Sequence, residues 1–439
     1  MLSRRLVFVA SGLFLLAAAF QAIGADWPQW RGPNRDGKVA DFKVPATWPA
    51  ELKQQWDEVV GNGVATPALV GDKLYVHTRE GSEEVVRCLN ATTGKEFWKD
   101  SYAARAADGP AGGYAGPRCS PTVGEGRVVT VGTAGLLSCY EADSGKKLWS
   151  KDDFKSWPDF YHSSSPIIVD GMCIAQLGAM NRQTGANNGA VVAYDLATGD
   201  QKWKEADLPT SYASPTLMPA GDTKLVIAQV SDGIVALDAA SGKKVWEMFY
   251  EQSGGSRYKA ATPIVSGDTL IYSDGPARAV KLSKEGDKFV ATKLWSNEDS
   301  RVEYNTPVLK GDLLFGLTGR SELFCVDTKT GKTLWSKAIA PTPAGAPPAG
   351  APSGGFKGKG KGRGMGGGQG GYGSVVDAGS VLFALTPSSQ LVVYEPSATE
   401  FKQLASYKVA DKATHAYPII AGNRIYVKDA DSVTLWTVE

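Results

Sequence analysis

Short apolar stretches of four to six residues, many alternating with polar ones, recur along most of this chain, separated by turns rich in Gly, Asp and Asn. The stretch from Ser214 to Glu247 displays the unit clearly. Ser214-Pro215-Thr216-Leu217 predicts an inner strand, and Leu225 to Gln229 a second. After the turn Ser231-Asp232-Gly233, Ile234 to Asp238 predicts a third. Ala239-Ala240-Ser241-Gly242-Lys243 turns again, and Lys244-Val245-Trp246-Glu247 predicts an outer strand. The Gly serves a turn that demands positive φ, and the Asp or Asn caps it through its side chain.

The unit repeats. Its openings are Thr66-Pro67, Ser120-Pro121, Ser165-Pro166, Ser214-Pro215, Thr262-Pro263, Thr306-Pro307 and Tyr417-Pro418. Its closings are Trp98, Trp149, Trp203, Trp246, Trp295 and Trp335. A period of about 40–55 residues with four short strands per unit predicts an all-β propeller of four-stranded antiparallel blades. The recurring Trp is large enough to fill the wedge between neighbouring blades. A unit from about Ser374 to Tyr407 has decayed, with Tyr407 near the Trp position. The last unit, from Pro418 to Trp436, lacks an outer strand. Leu52 to Asp57, containing Trp56, is an outer strand with nothing before it. Pairing the two orphans predicts eight blades in a ring closed between the N-terminal strand and the C-terminal blade, with no exposed edge at the seam.

Three segments fall outside this pattern. Residues 1–24 carry Arg4 and Arg5, an apolar run from Leu6 to Phe20 and small residues at Ala22 and Gly24, which is the pattern of a secretory signal peptide. No transmembrane span is expected after its removal, and no Cys near the cleavage region supports lipidation. Residues 25–50 form an aromatic segment, Asp26-Trp27-Pro28-Gln29-Trp30-Arg31-Gly32 and onward, expected to pack on the propeller of residues 51–439. Residues 338–374, rich in Pro, Gly and Lys, are expected to be a disordered insertion between blades six and seven.

A net charge of +1 argues against dedicated nucleic-acid binding. The five cysteines include no Cys-x-x-Cys and no adjacent pair, so neither a redox motif nor a zinc site is expected. Cys88, Cys139 and Cys325 share one repeat position with Ala193 and Ala236, which predicts a small buried site in a strand. EF-hand spacing, a nucleophile elbow, a phosphate loop and a His-Glu-x-x-His motif are all missing from the sequence.

Stretches such as Ile234 to Trp246 and Leu323 to Trp335 resemble the pyrroloquinoline-quinone (PQQ) propeller repeat of bacterial exported proteins, the quinoprotein dehydrogenase and BamB-like superfamily. The resemblance covers residues 51–439 apart from the insertion. It implies one of two functions. In the dehydrogenase branch, PQQ and calcium would oxidise alcohols or sugars, with a vicinal disulfide and a catalytic Asp, neither of which has a matching residue here. In the other branch a non-enzymatic propeller binds or scaffolds a protein or cell-envelope ligand. The second is the reading adopted, with no catalytic residue and no metal ligand assigned, a periplasmic or extracellular location, and a monomeric state.

Ligands of propellers usually bind where the loops entering the inner strands surround one mouth of the channel. Those loops carry Tyr114, Tyr161, Tyr212, Tyr258, Tyr304, Tyr372 and Tyr417, accompanied by Arg118, His162, Arg257, Lys259, Arg301 and His415. An aromatic and cationic ring suits a planar anion, a sugar acid or an extended peptide. Under the dehydrogenase alternative Arg118, Arg257, Lys259 or Arg301 would hold the quinone carboxylates. Further candidates at the mouth are the long loop Met180 to Gly189 and the carboxylates Glu303, Asp274, Asp429 and Asp431, whereas His77 is read as packed.

Overall fold

The turn that follows each third strand explains why the blades form and why they stack. In blade 4, Asp238 Oδ1 accepts the Ser241 N–H (2.8 Å) and its hydroxyl (2.6 Å), closing the turn locally. Gly242 follows at φ +73°, and a Cβ there would lie 2.5 Å from the Trp203 ring of blade 3. The same contact recurs between Gly145 and Trp98, Gly199 and Trp149, and Gly331 and Trp295. These four Trp also donate their indole N–H to the carbonyl that follows the turn's Asp or Glu: Trp98 to Ala142 (3.1 Å), Trp149 to Leu196 (3.0 Å), Trp203 to Ala239 (3.0 Å), Trp295 to Thr328 (2.6 Å). The motif is therefore an inter-blade joint: an indole lies on a bare Gly, with its one polar atom satisfied.

Opposite each Trp on the third strand stands a small residue, Cys88, Cys139, Ala193, Ala236, Ala279 or Cys325. A β-bulge follows this pair in every one of those blades. All five cysteines are free and buried.

The computed structural model describes residues 26–179, 186–250, 258–286, 288–339 and 372–438. The expected signal peptide lies outside them, as does the expected insertion apart from its ends. Eight four-stranded antiparallel sheets make the fold. Blade 4 comprises Thr216–Ala220, Thr223–Gln229, Gly233–Asp238 and Lys244–Phe249. Blade 8 comprises Ile419–Ala421, Arg424–Lys428, Ser432–Thr437 and, from the other end of the chain, Lys53–Val59. The seam pairs Gln54 with Trp436 and Trp56 with Leu435. Trp56 then makes the joint to blade 1, its indole N–H donating to Ala91 (3.3 Å) beside Gly94. The split blade closes the ring as the orphan strands predict. In blade 7 the residue in the Trp register is Ala405, paired with Val393. Tyr407, two residues on, instead donates to the Pro49 carbonyl (3.0 Å), and Phe401 packs on Trp335 (5.9 Å).

The Ser/Thr-Pro steps form a belt around the channel. The backbone N–H of Ser120 donates to the Ser165 hydroxyl, Ser165 to Ser214, Ser214 to Thr262, and Thr262 to Thr306, each at 2.9 Å. Blade 7 places Ser374 at this register, but its buried hydroxyl makes no hydrogen bond. Tyr417 of blade 8 reaches across, and its hydroxyl meets the Thr306 N–H (3.2 Å). Its own N–H donates to Thr66 (2.9 Å).

The channel is filled from the end opposite the mouth. Asp26 and Asp41 bind the turns at Gly71 and Gly422. Trp27 pairs with Leu69, and Pro28 accepts from Val123. Gly37 and Val39 bridge Asp377. The Arg31 and Arg35 side chains reach the carbonyls of Pro307, Ser165, Pro166 and Pro215 at the openings of the inner strands. A segment touching seven of the eight blades in sixteen residues runs along the axis, so the mouth is a basin with a floor.

Candidate functional site

Two aromatic clusters line the mouth, built by different loops. The first joins the loop before blade 2 to those before blades 6, 7 and 8. His415 packs edge-on against Tyr114 (4.7 Å) and Tyr372 (4.6 Å), and Tyr372 stacks on Tyr304 (4.7 Å). His415 Nε2 lies 2.7 Å from the Tyr114 hydroxyl. Tyr304 and Tyr372 remain 39% and 37% exposed, which makes this cluster the accessible one. Burial pushes the His415 imidazole down to about 4, so it is neutral at pH 7.

The second cluster gathers loops before blades 3, 4 and 5. Phe160 meets Tyr258 edge-on (4.9 Å) and Tyr212 (6.3 Å). The Tyr212 hydroxyl accepts the Phe160 N–H (3.1 Å), and the Tyr258 hydroxyl donates to Asp159 (3.4 Å). Trp157 stacks on Tyr161 (5.8 Å) under the Arg105 guanidinium (5.4 Å). Tyr161 is buried at φ +65° and donates to Asp108 (2.7 Å).

The expected cations are mostly spent on the fold. Arg118 donates to the carbonyls of Ala111, Tyr114 and Gly116 (2.9, 2.8 and 3.3 Å), stapling its own loop. Lys259 Nζ donates to the Asp274 carbonyl (2.6 Å) over the Tyr250 ring. Burial lowers both groups' pKa values. His162 is sealed between Thr133 and Gly178, and burial brings it to about 4. Arg301 is exposed and paired with Glu298 (2.9 Å). Tyr417 belongs to the channel floor, 5.9 Å from Trp30. Arg257 and most of the long loop from Met180 lie outside the described residues.

Three of the four expected carboxylates are likewise engaged within the fold, whereas Glu303 is exposed and partial burial raises its carboxyl pKa. Asp274 pairs with Arg278 (2.8 Å), Asp431 with Lys412 (2.6 Å), and Asp429 caps the N–H groups of Asp431 and Ser432. His77 is packed, with Nε2 3.2 Å from the Tyr102 hydroxyl. Among the described residues no group of three or more His, Cys, Asp or Glu is placed to hold a metal ion. This donor set weighs against a quinone with calcium: among the described residues Arg118 and Lys259 are spent on backbone carbonyls, Arg301 is ion-paired, and the carboxylates are dispersed.

Reading the loops as a ring of Tyr and cations missed Trp157 and Phe160, although both sit beside Tyr161 in one loop. It also missed Arg31 and Arg35, whose only signal is the density of Gly, Pro and Arg between Trp30 and Gly37.

A family profile described as outer membrane protein assembly factor BamB matches residues 82–337. The chain is 23% identical over 299 residues to that factor from Shewanella oneidensis, covering 64% of this chain and 70% of the relative. It is 28% identical over 276 residues to the quinohemoprotein alcohol dehydrogenase ADH-IIG of Pseudomonas putida, covering 55% of this chain and 36% of that enzyme. The crystal structure of BamB from Moraxella catarrhalis aligns over 89% of this chain and 98% of its own, with TM-score 0.59 and 15% identity. Quinohemoprotein alcohol dehydrogenase from Comamonas testosteroni aligns over 94% and 80%, with TM-score 0.64 and 14% identity.

Proposed function

The chain belongs to the family of outer membrane protein assembly factor BamB, and from that premise we propose that it is an exported, non-enzymatic propeller that binds a protein or other cell-envelope ligand across its aromatic mouth. The observation that carries this reading is the first cluster. Tyr304 and Tyr372 present two stacked faces to solvent, with a neutral His415 and the Tyr114 hydroxyl beside them. Stacked phenols with polar tips bind extended segments through apolar contact and hydrogen bonds, at small side-chain entropy loss. The inward turn of Arg118 and Lys259 moves the preference away from the anionic ligand that the bare sequence suggests. The signal-like first residues and the outer-membrane role in the relatives' names support export, and the periplasm is the location adopted.

A PQQ-dependent alcohol or sugar dehydrogenase is the second reading, favoured by the match to quinohemoprotein enzymes. The donor set of the mouth weighs against it. One experiment separates the two. Wild-type protein and a Tyr304→Ala/Tyr372→Ala variant are used as bait in envelope extracts, and both are titrated with PQQ and calcium. Under the proposal the variant keeps its thermal stability and loses the captured partner. Capture unchanged in the variant sinks the mouth as the binding site. Saturable quinone binding with dye-linked alcohol or sugar oxidation makes the protein an enzyme.

A further inference from the structure

Two guanidinium groups lie inside the channel, away from the mouth clusters. Arg31 is 0% and Arg35 7% exposed. Both residues hold left-handed backbones, φ +62° and +58°, a conformation that non-Gly residues keep only where their surroundings over-determine it. Arg35 is satisfied: Nε donates to Gln29 Oε1 (3.0 Å), and its two terminal nitrogens donate to the carbonyls of Ser165, Pro166 and Pro215. Arg31 is not. Nη2 donates to the carbonyls of Asp36 (3.0 Å) and Pro307 (2.7 Å), and Nε and Nη1 are buried with no partner.

The charge balance points the same way. Among the described residues no carboxylate hydrogen-bonds to either guanidinium. Asp36 acts on Arg31 only through space, and its Oδ1 accepts the Lys38 N–H (3.2 Å). The Trp30 and Tyr417 rings, each 5.6 Å from Arg31 Cζ, offer π faces, and the Tyr417 hydroxyl also acts on the guanidinium, but neither residue brings a formal charge. Trp27 Nε1, in the same segment, is a third buried nitrogen donor without a partner. Gly37 packs close on the guanidinium, since a Cβ there would stand 3.0 Å from Arg31 Nη2 and 3.4 Å from Nε. A buried charge with unused donors is strongly destabilising. Water would satisfy the hydrogen bonds and leave the charge. An anion would meet both needs.

We propose that the channel contains a binding site for a small monovalent inorganic anion, of the chloride class, held by Nε and Nη1 of Arg31. This site is distinct from the mouth and does not rest on the function proposed for it. The bound anion would lock the N-terminal segment onto the axis, because Arg31 joins that segment to blade 6.

The test is diffraction from crystals of the full chain grown with bromide as the sole halide, together with thermal unfolding in a chloride titration against gluconate at constant ionic strength. The expected result is an anomalous bromide peak in hydrogen-bond contact with Arg31 Nε or Nη1. Alongside it, the wild-type unfolding temperature should rise by about 1–2 °C per tenfold chloride above the dissociation constant. An Arg31→Met variant should lose the chloride dependence. If that variant fails to fold, the wild-type diffraction decides alone. Water without an anomalous peak at Arg31, or equal unfolding temperatures in chloride and gluconate, overturns the site.

Discussion

Replacing Gly242 by Ala tests whether the Gly–Trp joint, rather than turn geometry alone, holds neighbouring blades together. Gly242 and Gly221 both belong to blade 4 and both have left-handed backbones, φ +73° and +62°. A Cβ at Gly221 would meet nothing within 4 Å, whereas one at Gly242 would stand 2.5 Å from the Trp203 ring. Placing a Cβ on a left-handed residue costs about 1–2 kcal/mol, and this is common to both variants. The gain from a stiffer unfolded chain is also common to both. Only Gly242→Ala must also push a packed indole, for about 1–3 kcal/mol more. Trp203 is 8% exposed and tied to Ala239 O, so it cannot swing away without breaking that bond.

The unfolding entropy of a chain this size is roughly 0.8 kcal/mol/K, so the expected drop in Tm is about 1–2 °C for Gly221→Ala and about 3–6 °C for Gly242→Ala. Scanning calorimetry on both variants measures it. In a Trp203→Leu background the extra loss at Gly242 should shrink, giving a coupling energy between the two residues. Equal Tm losses in the two Gly variants, or no coupling to Trp203, would refute the joint.

Two further outcomes follow from burial. His77 and His162 have imidazoles held at about 4 instead of the usual 6.5. The unfolded chain therefore binds more protons between those values. Stability is fully present above pH 6.5 and is lost as pH falls towards 4, by up to about 3 kcal/mol per imidazole. Denaturant titrations of His77→Gln should show a shallower loss across this window than wild type, and an identical slope counts against the assignment. The five cysteines are buried and free, and burial raises their thiol pKa values. A thiol reagent should thus titrate almost none in the native state and five after denaturation, and rapid native reaction would show that the strands open.

The ring was legible because its signals are local. Asp238 to Trp246 carries its turn cap, its positive-φ Gly and its indole within nine residues, and each does in the structure what residue chemistry suggests. The orphan strands at Trp56 and Trp436 were readable for the same reason. The mouth was legible only as a set of loops. Whether a Lys in such a loop faces solvent or its own backbone is decided by neighbours far along the chain. Lys259 turns inward because the Asp274 carbonyl, fifteen residues away, lies within 2.6 Å. Arg35 was beyond reach altogether, since its carbonyl partners lie 130 to 180 residues away in two blades.

These long-range contacts change what the mouth can be. A propeller whose channel ran through would offer a pore, and a cationic mouth would draw anions into it. Here the N-terminal segment supplies the cations from below, and Arg35 spends both terminal nitrogens on inner-strand carbonyls. Tyr417, turned down onto Arg31 and across to Thr306, separates that charged floor from the basin above. Among the described residues of the mouth, the most exposed aromatic rings are those of Tyr304 and Tyr372. A rigid ring with its seam closed twice, by the strand at Trp56 and by the axial segment, holds those two rings in place before any partner arrives. Such preorganisation lowers the ordering penalty of binding and suits a scaffold that recognises an extended segment.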